Sequence, residues 1–273
     1  MIKLVLSDMD DTLIAYGRPV TQHALDAIHA VQDAGIHFGA ATGRVQEVLR
    51  GMLEHDERAV ATGVFCNGQM VSLDGRAIVD RPLDNEALRH IVALLADAPD
   101  AALTLYEGDE SYAVGMTAEE REAASAVFWK ETGIRDVVPS RPLYKANIHV
   151  NGDRVRLDEV RSLIQESVDV FDYVYPSPTK PLIDIQPAGV SKAWGADVLR
   201  QELGLAWDEV LAFGDSENDL ELLRATPHAI AVANATPAVK AVAAKVIGST
   251  QDDAVADALF ELACTGKSVD LPT

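Results

Sequence analysis

Short apolar runs alternate with amphipathic segments through the first 55 residues. The run from Leu4 to Leu6 is typical of a buried strand, and apolar residues then recur at helical spacing from Ala24 to Val31 before Gly35. A second apolar run at 36–41 precedes another helical segment. Alternation of strand and helix in this order predicts a parallel sheet.

The same alternation returns in the last third of the chain. The pattern there predicts strands at 183–186, 210–213, 229–233 and 245–247, and helices after Ser191, at 221–225, at 237–244 and at 253–263. A third apolar strand lies within 62–66 and leads into Asn67-Gly68, and the dipeptide Asp74-Gly75 indicates a hairpin. Asn67-Gly68 is compatible with either a simple turn or a place in a binding site.

The pattern differs between residues 83 and 187. Helical stretches at 84–97 and 117–132 are interleaved with strand-like runs at 101–106, 111–115, 145–150 and 170–175. This order predicts an α+β domain with helices on one face of a largely antiparallel sheet. The chain is therefore predicted to be α/β, with a doubly wound, parallel-sheet (Rossmann-like) core at 1–82 and 188–273 and an inserted domain at 83–187.

Composition restricts the classes of partner. The chain has 273 residues, 48% of them hydrophobic, and a formal charge of −20. That charge argues against nucleic acid or an anionic membrane as the partner, since phosphate backbones are bound by clustered Lys and Arg. A small phosphorylated metabolite needs only a locally positive pocket. Nothing in the sequence specifies an oligomeric state.

The cysteines and the apolar segments predict the setting. Cys66 and Cys264 provide no disulfide framework and no metal-ligand spacing. The apolar run at the N-terminus is too short for a signal peptide, and no run of about 20 apolar residues is present to span a bilayer. The seven histidines show no ligand spacing either. We expect a soluble protein in a reducing, cytoplasmic setting.

Polar residues stand where the predicted core strands end. They are Asp8 with Asp10, Thr42, Asp215 with Asn218 and Asp219, and Lys192 at the start of a helix. Ligands bind beyond the carboxyl ends of parallel strands, so these groups can converge in one crevice. Together they suit phosphoryl transfer with Mg²⁺, which prefers a few carboxylate oxygens plus water and phosphate.

Other interpretations of these residues remain open. The aspartates Asp8 and Asp10 are also turn formers, and Thr42 could cap a helix. Lys192 could be a solvated helix residue, and Asp219 could only favour the positive end of the following helix. Lys180 is a competing phosphate-binding lysine in a proline-rich segment.

Four short segments, taken in order, resemble the motifs of the haloacid dehalogenase superfamily of phosphatases. They are DMDDTL at 8–13, ATGR at 41–44, GVSK at 189–192 and GDSENDLELL at 214–223. The match is closest to the Cof-type group, whose large cap domain lies between the second and third motifs. The resemblance spans essentially the whole chain and identifies 83–187 as that cap.

The resemblance implies a role for each matching residue. Asp8 would be the nucleophile that forms an aspartyl-phosphate, and Asp10 the general acid and then the general base. Thr42 and Lys192 would bind the transferring phosphoryl group. Mg²⁺ would be held by Asp8, the main-chain carbonyl of Asp10 and Asp215, with Asp219 and Asn218 in the outer part of the site. The substrate-binding residues would be Thr42, Gly43, Arg44, Asn67, Lys192 and Asn218.

Two features depart from the pattern of that superfamily. Asp11 stands where glycine is usual, and IQPAGVSK lacks a lysine that often precedes the glycine. The resemblance implies small phosphomonoesters such as sugar phosphates as substrates, chosen mainly by residues 83–187. A phosphomutase or phosphotransferase of the same superfamily and a non-catalytic phosphate-binding regulator are the alternatives.

Overall fold

The computed structural model of the chain describes residues 1–107, 110–116, 133–175 and 181–265. It divides into two compact units. Unit 1 comprises Met1–Asp80 and Ser191–Thr273, and unit 2 comprises Arg81–Val190. Among the described residues, no helix is both long enough and apolar enough to cross a membrane.

Unit 1 contains a sheet that, within the described residues, has eight strands. Its strands are β1 (Leu4–Ser7), β2 (His37–Ala41), β3 (Gly63–Phe65), β4 (Met70–Leu73), β5 (Arg76–Asp80), β12 (Val210–Gly214), β13 (His228–Ala231) and β14 (Lys245–Val246). They lie in the order β14-β13-β12-β1-β2-β3-β4-β5. All neighbours pair in parallel except the β3–β4 and β4–β5 pairs, which are antiparallel.

Strand β1 is central to this sheet, and every one of its residues is buried. Ser7 pairs in register with Ala40 of β2 and with Phe213 of β12, so the three strands end at the same level. The chain order runs outward from β1 in both directions. Right-handed connections therefore place helices on both faces of the sheet, as in a doubly wound fold.

The described helices of unit 1 are α1 (Gln22–Asp33), α2 (Gln46–Met52), α3 (Glu57–Val60), α6 (Lys192–Glu202), α7 (Leu220–Ala225), α8 (Pro237–Val242) and α9 (Ala254–Thr265). A side chain caps the first turn of α1, α3, α6 and α8. The hydroxyl of Thr21 accepts from the backbone N–H of Ala24 at the start of α1, and Ser191 accepts from Trp194 at the start of α6. Lys192 is thereby fixed as the first residue of α6.

The predicted hairpin at Asp74-Gly75 joins β4 to β5. Both residues have positive φ, 51° and 79°. A two-residue turn with positive φ at both positions matches the right-handed twist of the flanking strands, which is why Asp-Gly favours it. This hairpin supplies the antiparallel edge of an otherwise parallel sheet.

Unit 2 contains a separate sheet, with six strands among its described residues. These are β6 (Ala101–Glu107), β7 (Glu110–Val114), β8 (Gly133–Arg135), β9 (Ala146–Val150), β10 (Phe171–Val174) and β11 (Leu182–Pro187), in the order β10-β11-β9-β6-β7-β8. Only the β7–β8 pair is parallel. Two helices, α4 (Asn85–Leu95) and α5 (Arg154–Gln165), turn their buried residues into the apolar cluster that includes Leu103, Ile148 and Ile183.

The predicted fold class is confirmed: a Rossmann-like α/β core carries an inserted α+β unit. Strand β11 belongs to the sheet of unit 2, although the alternation of strands and helices groups residues 183–186 with the returning core pattern. Its residues alternate apolar Ile183 and Ile185 with polar Asp184 and Gln186, the pattern of a strand with one polar face. The helix predicted at 117–132 lies outside the described residues.

Candidate active site

The polar residues predicted at the strand ends come together at the carboxyl edge of the parallel sheet. Asp8 follows β1, Thr42 follows β2 and Asp215 follows β12. The backbone N–H of Asp8 donates to Phe213 of β12 (3.0 Å), which fixes the height of its side chain above the sheet. Residues far apart in the sequence therefore meet because their strands are neighbours in the sheet.

Lys192 connects two of these carboxylates. Its ammonium donates to Asp8 Oδ1 at 2.6 Å and to Asp219 Oδ1 at 2.7 Å. The Lys192 and Asp219 side chains are fully buried, and Asp8 is 5% exposed. A solvated surface lysine is thus excluded. An ammonium buried in this way needs carboxylate partners, because an unpaired buried charge is very costly.

Asp219 also holds the loop that carries Asp215. Its second oxygen, Oδ2, accepts from the backbone N–H groups of Asp215 and Ser216, each at 3.1 Å. Gly214 leaves room for this arrangement, since a Cβ there would lie 2.6–2.8 Å from the Asp219 side chain. Both oxygens of Asp219 therefore have donors within unit 1, and the side chain orients Lys192 and the 214–216 loop.

The electrostatics of this cluster are unbalanced. Three carboxylates, Asp8, Asp215 and Asp219, lie close together, and the ammonium of Lys192 pairs with two of them, Asp8 and Asp219. Burial raises the pKa of Asp8 well above its usual range, although Lys192 opposes the shift. Burial, followed by the charge of Asp219, raises the pKa of Asp215 to about 6. A bound cation would favour the ionised form of these carboxylates.

The donor set fits a hard divalent cation. Oxygen atoms of Asp8, Asp215 and Asp219 lie within 4.8 Å of one another, the one such group found among the described residues. With Asp219 occupied by N–H donors, Asp8 and Asp215 are the carboxylates best suited to ligate a metal. Two carboxylates with a main-chain carbonyl, water and substrate oxygen form a typical Mg²⁺ site.

Thr12 is a residue of the site that the sequence analysis did not single out. It is fully buried, and its hydroxyl donates to Asp215 Oδ1 at 3.0 Å. Thr12 lies only four positions after Asp8, inside the same segment 8–13, and this position could have marked it as a residue of the site. Its partner lies 203 residues away and could not be inferred without the sheet order.

Thr42 lies in a loop held by backbone hydrogen bonds. Its N–H donates to Val64, and its carbonyl accepts from the N–H of Asn67. The hydroxyl oxygen accepts from the N–H of Arg44 (3.1 Å), so the hydroxyl hydrogen can still be donated to a ligand. Helix α2 begins at Gln46 with Val45 at its cap position, and Thr42 is therefore not its N-cap.

Asn67 and Asn218 meet beside this loop. The amide of Asn218 donates to Asn67 Oδ1 at 3.2 Å, and Asn218 Oδ1 accepts from Ser216. Asn67 adopts a left-handed conformation (φ 53°), which asparagine tolerates better than most residues. A Cβ on Gly43 would lie 3.3 Å from Asn67 Oδ1, so the loop after β2 packs closely on this amide. Asn67 thus forms part of the turn after β3 and also lies among the polar residues gathered at the strand ends.

Asp10 and Arg44 form a two-point ion pair. Arg44 Nε donates to Asp10 Oδ2 at 2.7 Å, and Arg44 Nη2 donates to Asp10 Oδ1 at 2.6 Å. Each side chain is 37% exposed. Arg44 was expected at the substrate side, and the structure gives its guanidinium a partner within the segment 8–13.

The backbone conformation at Asp11 explains why this residue can stand where glycine is usual. Its φ of 59° is left-handed, a conformation that glycine adopts freely and that aspartate tolerates. Its Oδ1 accepts from the N–H of Tyr16, and its carbonyl accepts from Asn234 Nδ2 (2.7 Å) and Thr250 Oγ1 (2.5 Å). The charge of Asp11 contributes to the raised pKa of Asp215.

The remaining candidates from the sequence are Lys180, the two cysteines and the histidines. Lys180 lies outside the described residues. Cys66 is a buried thiol and Cys264 an exposed one. Among the histidines, His23 and His29 contact the carboxylates of Asp257 and Asp56.

Comparison with known proteins gives a family match and relatives over nearly the whole chain. A family model described as haloacid dehalogenase-like hydrolase matches residues 5–259. The chain is 24% identical to the chloroplastic endoribonuclease YBEY of Arabidopsis thaliana over 95% of its length, but it spans only 46% of that protein. It is also 24% identical to 5-amino-6-(5-phospho-D-ribitylamino)uracil phosphatase YbjI of Escherichia coli, covering 94% of this chain and 95% of the relative.

A solved structure shows the same fold. BT1666 of Bacteroides thetaiotaomicron, described among phosphatases of the haloalkanoate superfamily, superposes with a TM-score of 0.80. The two chains are 24% identical, and the match covers 96% of this chain and 95% of the other. At this identity the likeness establishes the fold.

Proposed function

The chain belongs to the haloacid dehalogenase-like hydrolases, and on that premise we propose that it is a Mg²⁺-dependent phosphatase of small phosphomonoesters that works through an aspartyl-phosphate. The observation that carries the proposal is the contact of Asp8 with the buried ammonium of Lys192. A buried carboxylate at a strand end, with a lysine, a threonine and a second carboxylate beside it, provides a nucleophile together with groups that neutralise phosphoryl charge.

In the first step, Asp8 would attack phosphorus. Lys192 holds Oδ1 of Asp8, which leaves Oδ2 for the attack. As the new O–P bond forms, the bond from phosphorus to the ester oxygen breaks, and that oxygen takes a proton from Asp10. Lys192 and the Thr42 hydroxyl would hold the equatorial phosphoryl oxygens throughout.

In the second step, water would attack the phosphorus of the aspartyl-phosphate. Asp10, now a carboxylate, takes the proton of that water, and the bond between phosphorus and Asp8 breaks. Inorganic phosphate leaves, and Asp8 and Asp10 return to their starting protonation states. Asn67 and Asn218 are the amides that we assign to substrate binding, next to Gly43.

Asp8, Asp215 and the main-chain carbonyl of Asp10 would hold the Mg²⁺ ion. When bound, the ion would neutralise phosphoryl charge and balance the excess of carboxylates over ammonium. We assign to Asp219 the role of holding Lys192 and the loop, because both of its oxygens have N–H donors.

The substrate class is proposed to be small phosphorylated metabolites, sugar phosphates in particular. One relative at 24% identity is named for a phospho-D-ribitylamino-uracil, a small phosphomonoester with a polyol chain. We assign the choice among such esters to the inserted unit, residues 81–190, because the fold of the core alone does not specify a substrate.

Release of phosphate from p-nitrophenyl phosphate tests the proposal. We expect turnover that requires added Mg²⁺ and stops on chelation, and we expect Asp8→Asn to lose at least about 1,000-fold in rate because the amide cannot form the phosphoenzyme. Mass spectrometry of a quenched reaction would detect the phosphate on Asp8.

Glu221→Gln in α7 is the matched control, a carboxylate-to-amide change outside the proposed chemistry. Its rate should remain within about twofold of the parent, as for surface changes generally. Undiminished turnover by Asp8→Asn would disprove the nucleophile. Phosphate appearing on an added sugar and not in solution would show a phosphotransferase.

A further inference from the structure

Arg44 contacts Asp10, the general acid and base of the proposed mechanism. Neither step of that mechanism gives Arg44 a role. Its guanidinium donates to both oxygens of the Asp10 carboxylate, at 2.6 and 2.7 Å. A planar guanidinium matches a carboxylate in this two-point geometry, which fixes orientation as well as distance. The contact therefore defines where the Asp10 carboxyl group stands.

The backbone of Arg44 is itself firmly held. Its N–H donates to the hydroxyl of Thr42 at 3.1 Å, and its carbonyl accepts from the N–H of Cys66 at 3.0 Å. These bonds tie Arg44 to the ends of β2 and β3. Because the backbone of Arg44 is anchored at the sheet edge, its guanidinium can hold the Asp10 side chain, in the loop after β1, in one position.

Asp10 needs such support more than its neighbours do. Its side chain is 37% exposed, whereas the Asp8 side chain is 7% exposed and contacts Lys192. An exposed aspartate in a loop can populate several rotamers. Misplacement of a catalytic group by about 1 Å can reduce a rate by about 100-fold.

The two-point contact is compatible with proton transfer by Asp10. Each carboxylate oxygen has two lone-pair sites, and the pair of N–H donors uses one on each oxygen. One remaining site can carry the proton that goes to the leaving oxygen. After that proton is given up, the same site can accept the proton of the attacking water.

We propose that Arg44 is a positioning residue that acts through Asp10 on the proton transfers, and that it is not a ligand of the substrate phosphoryl group. This inference rests on the proposed function. It gives Arg44 a different role from Thr42 and Lys192, which are assigned to the phosphoryl oxygens. It predicts that the effect of substituting Arg44 depends on the leaving group of the substrate.

Two substrates with different leaving groups distinguish a positioning role of Arg44 from a role in binding the phosphoryl group. p-Nitrophenolate leaves readily without a proton, whereas the alkoxide of glycerol 2-phosphate needs one. The parameter kcat/KM reports the steps up to cleavage of the ester bond. Loss of proton donation should therefore lower kcat/KM for the alkyl ester and spare the aryl ester, whereas loss of a phosphoryl ligand should lower both equally.

For Arg44→Gln we expect kcat/KM for glycerol 2-phosphate to fall about 10- to 100-fold and that for p-nitrophenyl phosphate to change less than about threefold. Arg44→Lys, which keeps the charge but cannot make the two-point contact, should recover only part of the loss. In Asp10→Asn, adding Arg44→Gln should cause no further loss on glycerol 2-phosphate, since both changes act through one group.

Arg58→Gln is the control, because Arg58 also pairs with a carboxylate, Asp33, at 2.8 Å but takes no part in the site. It should leave the ratio of the two kcat/KM values unchanged. Equal losses on both esters in Arg44→Gln, or additive losses in the double variant, would overturn the inference. Absence of turnover by the parent protein on both esters would instead count against the proposed function.

Discussion

At the scale of single residues, the site depends on one buried ammonium shared by two carboxylates. Burial alone would lower the pKa of Lys192, but the charges of Asp219 and Asp8 outweigh it and the net shift is upward. Lys192 is therefore charged, and each carboxylate depends on it. Removing one partner of a buried pair is far more damaging than the net contribution of the pair suggests, because the other charge stays buried.

Lys192→Met should lower the free energy of unfolding by about 3–5 kcal/mol, since it leaves Asp8 and Asp219 facing each other without a counter-charge. Urea unfolding monitored by circular dichroism would measure the loss. Adding Asp219→Asn to this variant should recover at least about 1 kcal/mol, because one of the unpaired charges is removed. Equal stability of the single and double variants would contradict this account of the pair.

The residues of the site were predictable to different extents. Asp8, Thr42 and Asp215 could be placed together because each follows a strand of a parallel sheet, where carboxyl ends share one edge. The contacts of Arg44 with Asp10 and of Thr12 with Asp215 could not. These depend on rotamers and loop paths, which the spacing of apolar residues does not encode.

At the scale of elements, helix α6 approaches β3 unusually closely, and this approach places Lys192 beside Asp8. Gly195 of α6 allows it, since a Cβ there would lie 2.5 Å from Val64 Cγ1 and 3.1 Å from the Cα of Gly68. Val64 is fully buried and β-branched, so it cannot rotate away. Glycine usually weakens a helix interior, and here contact with the sheet outweighs that cost.

Gly195→Ala should destabilise the protein by about 1–3 kcal/mol, because the added methyl group overlaps a stiff side chain. Gly51→Ala in α2 is the same change with nothing within 4 Å, and it should stabilise by up to about 1 kcal/mol through helix propensity. Thermal unfolding of both variants would test the contrast. Stabilisation by Gly195→Ala would show that α6 can move away from β3 without cost.

Element prediction succeeded best where one periodicity dominates. The core strands are continuous apolar runs because a parallel sheet is buried on both faces. In unit 2, β8 has three residues and β11 has one polar face, so neither carries that signal. Which sheet a strand joins is decided by long-range pairing, and a local pattern does not specify it.

At the scale of the whole molecule, an acidic chain of formal charge −20 surrounds a site with more carboxylates than ammonium groups. In the metal-free protein the pKa of Asp215 is raised to about 6 from its ordinary 3.8. A carboxyl group raised in this way favours folding at low pH, and its contribution is lost as the pH rises through about 6. A bound cation would reverse this preference, because it requires the ionised form.

Stabilisation by Mg²⁺ should therefore grow with pH. We expect the increase in Tm on adding Mg²⁺ to be small near about pH 5 and several degrees near about pH 8, since protons compete for Asp215 in the acidic range. Differential scanning calorimetry would measure both shifts. Asp215→Asn should abolish the shift at either pH, and an equal shift at both would refute competition at this carboxyl group.

The contact between Asp8 and Lys192 joins residues 184 positions apart, and β1 lies against β12 in the centre of the sheet. Ribosomes add about 5–20 residues per second, so Lys192 is made about 10–40 s after Asp8. Throughout that interval the central strand lacks one neighbour, an exposed edge of the kind that chaperones protect. A nascent chain of fewer than about 215 residues therefore lacks groups that the proposed chemistry needs, because Asp215 has not yet been added.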